Sequence, residues 1–294
     1  MRWLACVALG GCNLLFGATS DGGKTDDVDA APSPGDAPPT VELGVSIAIE
    51  HPVFADAGQA VLVMLKTTGD RGITYRLDAD AGTFLANGGL QTDGTAAAGD
   101  QVTAIMWQPP RSFHRVHFEA TALYEGDPGN PVSDVVDLDV YDHAGRFVIT
   151  APMARAVPAN RMFAIPFRLD EPGHVGGLGI QVAAGNASVK LGLYSNQGGI
   201  PQTLLAQTPS LSINAGGRIE ADVAGPNLGP GVYWVGVIAD QPISVVGGGE
   251  NENPAMTSGD GVYATGPSNP WRTPASESGT LGLYAILGPL QAPP

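Results

Sequence analysis

The side chains able to do chemistry fall in three places: the run Asp78-Ala79-Asp80-Ala81-Gly82, five scattered histidines, and a late cluster of aromatics and carboxylates. The D-x-D-x-G spacing is that of a calcium turn, so Asp78 and Asp80 are the calcium candidates. The further oxygen ligands and terminal glutamate of an EF-hand loop do not follow them. A solvated acidic turn is therefore the default, and no metal site and no cofactor is expected. His114 and His117 stand three apart, which on a strand turns their rings to opposite faces. With His51, His143 and His174 they read as solvent or turn histidines.

The third place is the glycine- and proline-rich stretch from Gly247 to about Ser278, which carries Glu250, Glu252, Tyr263, Trp271 and Arg272. Irregular segments longer than about 15 residues are uncommon in compact domains and often functional. Exposed Trp271 and Tyr263 beside Arg272 and the two glutamates would stack on sugar rings and bond their hydroxyls, so these five residues form the expected ligand surface. The alternative is a wrapped loop whose aromatics plug one end of the fold. No G-x-S-x-G elbow, H-E-x-x-H pair or Walker loop occurs. None of the acidic spacings singles out a glycosidase pair. No catalytic residue is assigned, and the chain is read as a non-enzyme.

The elements that must position these residues read as strands. There are 41 glycines and 25 prolines in 294 residues, without collagen periodicity, and 43% hydrophobic residues. Many turn formers between short apolar runs predict an all-β protein. Val45–Ile49, Ala60–Leu65, Ile73–Leu77, Gln101–Trp107, His114–Tyr124 and Ser133–Tyr141 alternate or carry β-formers, which is the strand spacing of an immunoglobulin-like sandwich over 41–143. Asp137 and Asp139 share one face of the last of these strands, and Val136, Leu138 and Val140 the other. A second set follows within 146–290: Phe163–Leu169, Val175–Val182, Ser188–Tyr194, Arg218–Val223, Gly231–Ala239 and Gly279–Leu287.

Two stretches carry a family resemblance. Gly82-Thr83-Phe84, followed by Val102-Thr103-Ala104-Ile105-Met106-Trp107-Gln108-Pro109-Pro110, resembles the G-T/S-F turn and proline-terminated tryptophan strand of bacterial Ig-like repeats. Gly192-Leu193-Tyr194, Gly198-Gly199-Ile200-Pro201 and Leu204-Leu205-Ala206, with Leu228-Gly229-Pro230-Gly231-Val232-Tyr233-Trp234, resemble a β-sandwich domain of many secreted bacterial proteins. That resemblance implies a jelly-roll-like second sandwich and carries no activity. Leu-Gly-Leu-Tyr recurs at Leu191–Tyr194 and Leu281–Tyr284, read as two equivalent core strands.

The N-terminus supplies an address. Arg2, the apolar run Trp3–Leu9 and Gly10-Gly11 before Cys12 have the order of a secretory signal. Leu9-Gly10-Gly11-Cys12 resembles the lipobox of bacterial lipoproteins, which implies residues 1–11 as the signal and Cys12 as the lipidated residue. Cys6 has almost no apolar run before it. Residues 12–40 then form an acidic, proline-bearing linker, whose portion from Ser20 to Thr40 reaches at most roughly 70 Å when extended. The two cysteines are Cys6, within the signal, and Cys12, the expected lipidated residue, so the body has no disulfide. A net charge of −15 repels phosphate backbones and argues against nucleic-acid binding. The expectation is an exported, lipid-anchored protein of the outer membrane or cell surface, serving surface display, adhesion or ligand capture. Its partners would be the membrane, through Cys12, and a glycan or surface protein. A carbohydrate-binding module and a purely structural envelope component are the alternative readings.

Overall fold

Alternation of apolar and polar residues builds the first strands, and the computed structural model describes residues 41–49, 52–55, 59–149, 151–248 and 256–292. The strands of the first half are β1 (Gly44–Ile49), β2 (Val53–Phe54), β3 (Val61–Thr68), β4 (Ile73–Ala79), β5 (Thr83–Phe84), β6 (Gln91–Ala96), β7 (Gln101–Gln108), β8 (His114–Tyr124) and β9 (Asp127–Gly145). Those of the second are β10 (Met153–Val157), β11 (Arg161–Leu169), β12 (Gly173–Ala184), β13 (Ala187–Gln197), β14 (Ile200–Gln207), β15 (Leu211–Ile213), β16 (Gly217–Asp222), β17 (Asn227–Leu228) and β18 (Gly231–Ala239). They continue as β19 (Ile243–Gly248), β20 (Met256–Asp260), β21 (Ala275–Glu277), β22 (Thr280–Leu281) and β23 (Leu283–Gly288). The protein is all-β, and its ladders are antiparallel apart from a short parallel bridge of β2 to β9.

Two sandwich cores result. In the first, the sheet β1-β3-β7-β5 faces β9-β8-β4-β6. Val63 and Leu65 of β3, Leu77 of β4, Val116 and Phe118 of β8, and Leu138 and Val140 of β9 all point inward, as period two requires. Trp107 is fully buried at the centre. Its indole N–H donates to the Ala81 carbonyl at 3.2 Å, and Phe118 meets it edge-on at 5.0 Å. Gly82 has φ 74°, and a Cβ there would stand 2.5 Å from the indole. The G-T-F turn and the tryptophan strand are thus two sides of one contact.

In the second core, the sheet β14-β13-β18-β11-β20-β21 faces β10, β19, β12 and β23. Phe163, Ile165, Val235, Val237, Leu191 and Leu193 pack onto Leu178, Ile180, Val245, Leu283 and Leu287. β9 serves both sandwiches. It pairs with β8 as far as His114↔Val140, and its last residues, Asp142–Gly145, pair with β23. The boundary expected between residues 143 and 146 therefore falls at the end of a continuous 19-residue strand, where the Arg146 N–H still donates to the Leu283 carbonyl at 2.8 Å. No helix among the described residues is long and apolar enough to cross a membrane.

Candidate functional site

The late segment is more regular than its composition suggests. Its described part forms β20, paired with β11, then a 3-10 turn at Tyr263–Thr265, and β21, paired with β20. Between them the chain folds over the outer face of the β13-β18-β11 sheet. Met162, Ala164, Tyr194, Trp234, Ile238 and Trp271 make a small second core there. This corrects the expectation of an exposed Trp271, because the ring is only 6% exposed. Its edge meets Tyr194 at 5.0 Å, and Cβ atoms on Gly236 and Gly259 would stand 3.1 and 2.5 Å from it. Neither ring face is open to a sugar. Burial also pushes the Tyr194 phenol far above its usual pKa, and its hydroxyl donates to the Ser268 carbonyl.

Tyr263 is half-buried and pinned. Its hydroxyl shares a hydrogen bond with Ser210, its N–H donates to Asn160, and the Lys190 ammonium lies 4.7 Å over its ring. Arg272 is exposed and lines a small polar cavity of about 440 Å³ with Asp260, Gln207 and Asn269. The structure thus brings Tyr263, Trp271 and Arg272 into one region but gives the two aromatics supporting roles. Glu250, Glu252, His51 and the lipidation candidate Cys12 lie outside the described residues.

The calcium candidates do not converge on a common point. Asp78 forms a two-pronged ion pair with Arg76, at 2.7 and 3.0 Å, and Asp80 accepts the His117 backbone N–H at 2.9 Å. Among the described residues no three His, Cys, Asp or Glu side chains gather as a metal site would require. The acidic run on β9 is matched across the ladder. Arg115 grips Asp139 through two bonds, and His117 Nδ1 lies 2.8 Å from Asp137.

That last hydrogen bond raises the His117 pKa above its ordinary 6.5. A raised folded-state value means the contact contributes fully below about pH 6.5 and is lost as pH rises through the folded value. In an NMR titration the His117 imidazole should therefore have its midpoint above 6.5, and Asp137→Asn should bring it back toward the ordinary value. An unmoved midpoint in both proteins would contradict the pairing.

A packed aromatic column lies at the junction of the sandwiches, on the outward face of β9. The alternation that points Leu138 and Val140 inward points Asp139, Tyr141 and His143 outward. His143 lies between two phenylalanines, stacked on Phe54 at 4.8 Å and on Phe147 at 3.6 Å. The Arg218 guanidinium covers Phe147 at 3.9 Å, and Tyr284 meets His143 and Phe147 edge-on. Tyr284 reaches across β12 to donate its hydroxyl to Glu220 at 2.7 Å. It crosses where Gly179 has no side chain: a Cβ there would stand 2.2 Å from the ring. Both sandwiches contribute to this column, so it fixes one against the other and holds Glu220 in place.

Beside the column opens a groove of about 770 Å³. Phe54 and Tyr141 form one wall, their centroids 5.9 Å apart and their planes tilted by 44°. Glu220 and Asp222, alternate residues on one face of β16, form the other, with His174 and Gln291 also lining it. Burial raises the Tyr141 phenol pKa, and the charge of Asp139 adds to the shift while Arg115 opposes it and Asp222 adds a smaller contribution. On the inward side of the same strand segment lies a second cavity of about 830 Å³. Its rings, Phe113 and Phe167, are engaged by the second core, and its Arg168 and Asp170 pair with each other at 2.7 Å. The outward groove is the better site, because its half-buried rings and its carboxylates face open space.

Of the groove residues, Phe54, Tyr141, Glu220 and Asp222 are not site candidates in the sequence, and His174 reads there as a solvent or turn histidine. Two signals did exist. The outward period of β9 continues past Asp139 to Tyr141 and His143, and Arg218-x-Glu220-x-Asp222 puts three charges on one strand face. What no spacing discloses is that Phe54 reaches this place through the parallel bridge Phe54↔Tyr141.

No protein-family model matches the chain, and no curated protein matches it. Among solved structures it is similar to the secreted serine protease VesC from Vibrio cholerae, with 11% sequence identity and a TM-score of 0.23. The match takes in 70% of this chain and 50% of that one, so the chain spans about half the length of that structure. A likeness of this size carries no argument about architecture or activity.

Proposed function

We propose that this chain is a non-enzymatic, lipid-anchored protein of the bacterial cell envelope that captures a ligand in the groove at the junction of its two sandwiches. The observation that carries the capture reading is the groove itself. Its volume is in the range of small-ligand sites, and it combines aromatic surface with a few convergent polar groups. One of those groups, Glu220, is held by Tyr284, so part of the ordering cost of binding is met in the free protein. The address rests on the lipobox-like Leu9-Gly10-Gly11-Cys12 and the acidic linker behind it. Several acyl chains on Cys12 would anchor the body stably.

Each half of the proposal has its own test. Cells expressing the full chain should incorporate labelled palmitate into it, and Cys12→Ala should abolish the label. No label on the unchanged chain contradicts the anchor. For capture, the purified protein is heated with a panel of soluble sugars, amines and amino acids. At least one class should raise the melting temperature by mass action, and Tyr141→Leu should remove that rise. A panel without effect on the unchanged protein contradicts the groove reading.

A further inference from the structure

We infer that the ligand of this groove carries an ammonium group, held between the rings of Phe54 and Tyr141 and the carboxylates of Glu220 and Asp222. This rests on the groove being the binding site, as proposed above, and adds its chemical class.

The lining contains two aromatic rings, two carboxylates, one histidine and no lysine or arginine. Aromatic faces alone would suit either the C–H face of a sugar or a cation, because both are drawn to the negative face of a ring. The carboxylates decide between them. Glu220 already accepts a hydrogen bond from the Tyr284 hydroxyl at 2.7 Å and lies 3.8 Å from His143 Nε2, whereas Asp222 is exposed. A neutral sugar gains only hydrogen bonds from such a pair and brings no opposite charge to it. An anionic ligand is repelled outright. An ammonium answers both walls at once, by cation–π attraction on one side and charge pairing on the other.

The cations nearest the groove are already engaged. Arg218, on the same face of β16, is laid over Phe147 at 3.9 Å, and Arg115 is held by Asp139 through bonds of 2.7 and 3.0 Å. Neither lines the groove. A net charge of −15 on the whole chain adds a long-range field that draws cations toward the surface. The cavity is larger than a single ammonium head, so it also accommodates an extended polyamine. Choline-type and polyamine ligands share the same recognition chemistry, and the test separates them.

Isothermal titration of the purified protein uses four probes: choline, spermidine, 3,3-dimethyl-1-butanol (the uncharged isostere of choline) and glucose as a neutral sugar. Choline or spermidine should bind, more weakly as salt rises, and whichever is tighter identifies the source. The neutral isostere should bind about tenfold or more weakly than choline if choline is the source, a difference of roughly 1.4 kcal/mol. Asp222→Asn should weaken the bound cation about tenfold. Asp222 is exposed, so the substitution should leave the melting temperature unchanged. Asp170→Asn, on the opposite side of β9, should not change binding.

Binding of neither cation, equal binding of choline and its isostere where choline is the tighter cation, or equal losses in Asp222→Asn and Asp170→Asn, would overturn the ammonium assignment. So would tight binding of a neutral sugar, unaffected by Asp222→Asn, in a protein that takes neither cation. If that sugar is lost in Tyr141→Leu, the groove itself still stands. The groove and the cation fall together only if Tyr141→Leu leaves every bound probe unaffected.

Discussion

Truncation of Trp271 to alanine is expected to lower stability by about 3–5 kcal/mol, the usual cost of removing a large buried aromatic. The ring is a keystone of the small core on the outer face of the β13-β18-β11 sheet. It packs edge-on to Tyr194, lies over the bare backbones of Gly236 and Gly259, and donates its indole N–H toward the Ser258 carbonyl at 3.4 Å. Its own backbone N–H donates to the Gln202 carbonyl at 3.0 Å, so the loop is tied to β14 at the same point. Urea unfolding should show a fall in the midpoint with little change in slope. A loss below about 1 kcal/mol would show instead that the ring is dispensable to the fold, as a solvent-facing binding platform would be.

Trp107→Ala is expected to cost a similar amount, about 3–5 kcal/mol, at the centre of the first sandwich. Trp107 is fully buried, its indole N–H is satisfied by the Ala81 carbonyl, and the glycine turn at Gly82 is shaped around it. The loss should also be felt in the second sandwich. β9 carries Leu138 and Val140 into the first core and continues into pairing with β23 of the second. The stacked column of Phe54, His143 and Phe147 spans the same junction. Fluorescence from Trp234 and Trp271, both in the second half, should therefore report the same lowered unfolding midpoint as far-UV circular dichroism. Two separated transitions would contradict the coupling.

Much of the strand pattern is visible in the residues themselves. In β3, Val63 and Leu65 alternate with Leu62, Met64 and Lys66, and only the first pair is buried. Gly82-Thr83-Phe84 and Trp107 lie far apart in the chain, yet their common motif reflects one physical contact. The burial of Trp271 is legible not in the composition of the late loop but in the strand it covers. Tyr233 to Ala239 reads as a nearly continuous apolar run, and such strands are buried on both faces. Inside, Val235 and Val237 meet the main core; outside, Trp234 and Ile238 require a lid, and the segment bearing Trp271 supplies it. A continuous run on a sheet strand was the signal that nearby aromatics would be buried.

The groove was harder to see for a different reason. Its residues come from β2, β9, β12, β16 and the C-terminal stretch, brought together by pairings of long sequence separation. Period two tells which face Tyr141 and Asp222 occupy. It does not tell that those faces adjoin. Gly179, over which Tyr284 passes to reach Glu220, is one glycine in a strand, and its position alone does not reveal which ring crosses it.

The central claim is that the ligand site belongs to neither sandwich alone but to the groove between them. A crystal structure of the protein grown with saturating choline, and a second with spermidine, tests it most directly. The account predicts bound ligand between the rings of Phe54 and Tyr141 and the carboxylates of Glu220 and Asp222, with the His143 stack unchanged. Ligand seated instead beside Arg272 and Asp260, or in the opposite cavity beside Arg168, with the groove empty, would contradict it.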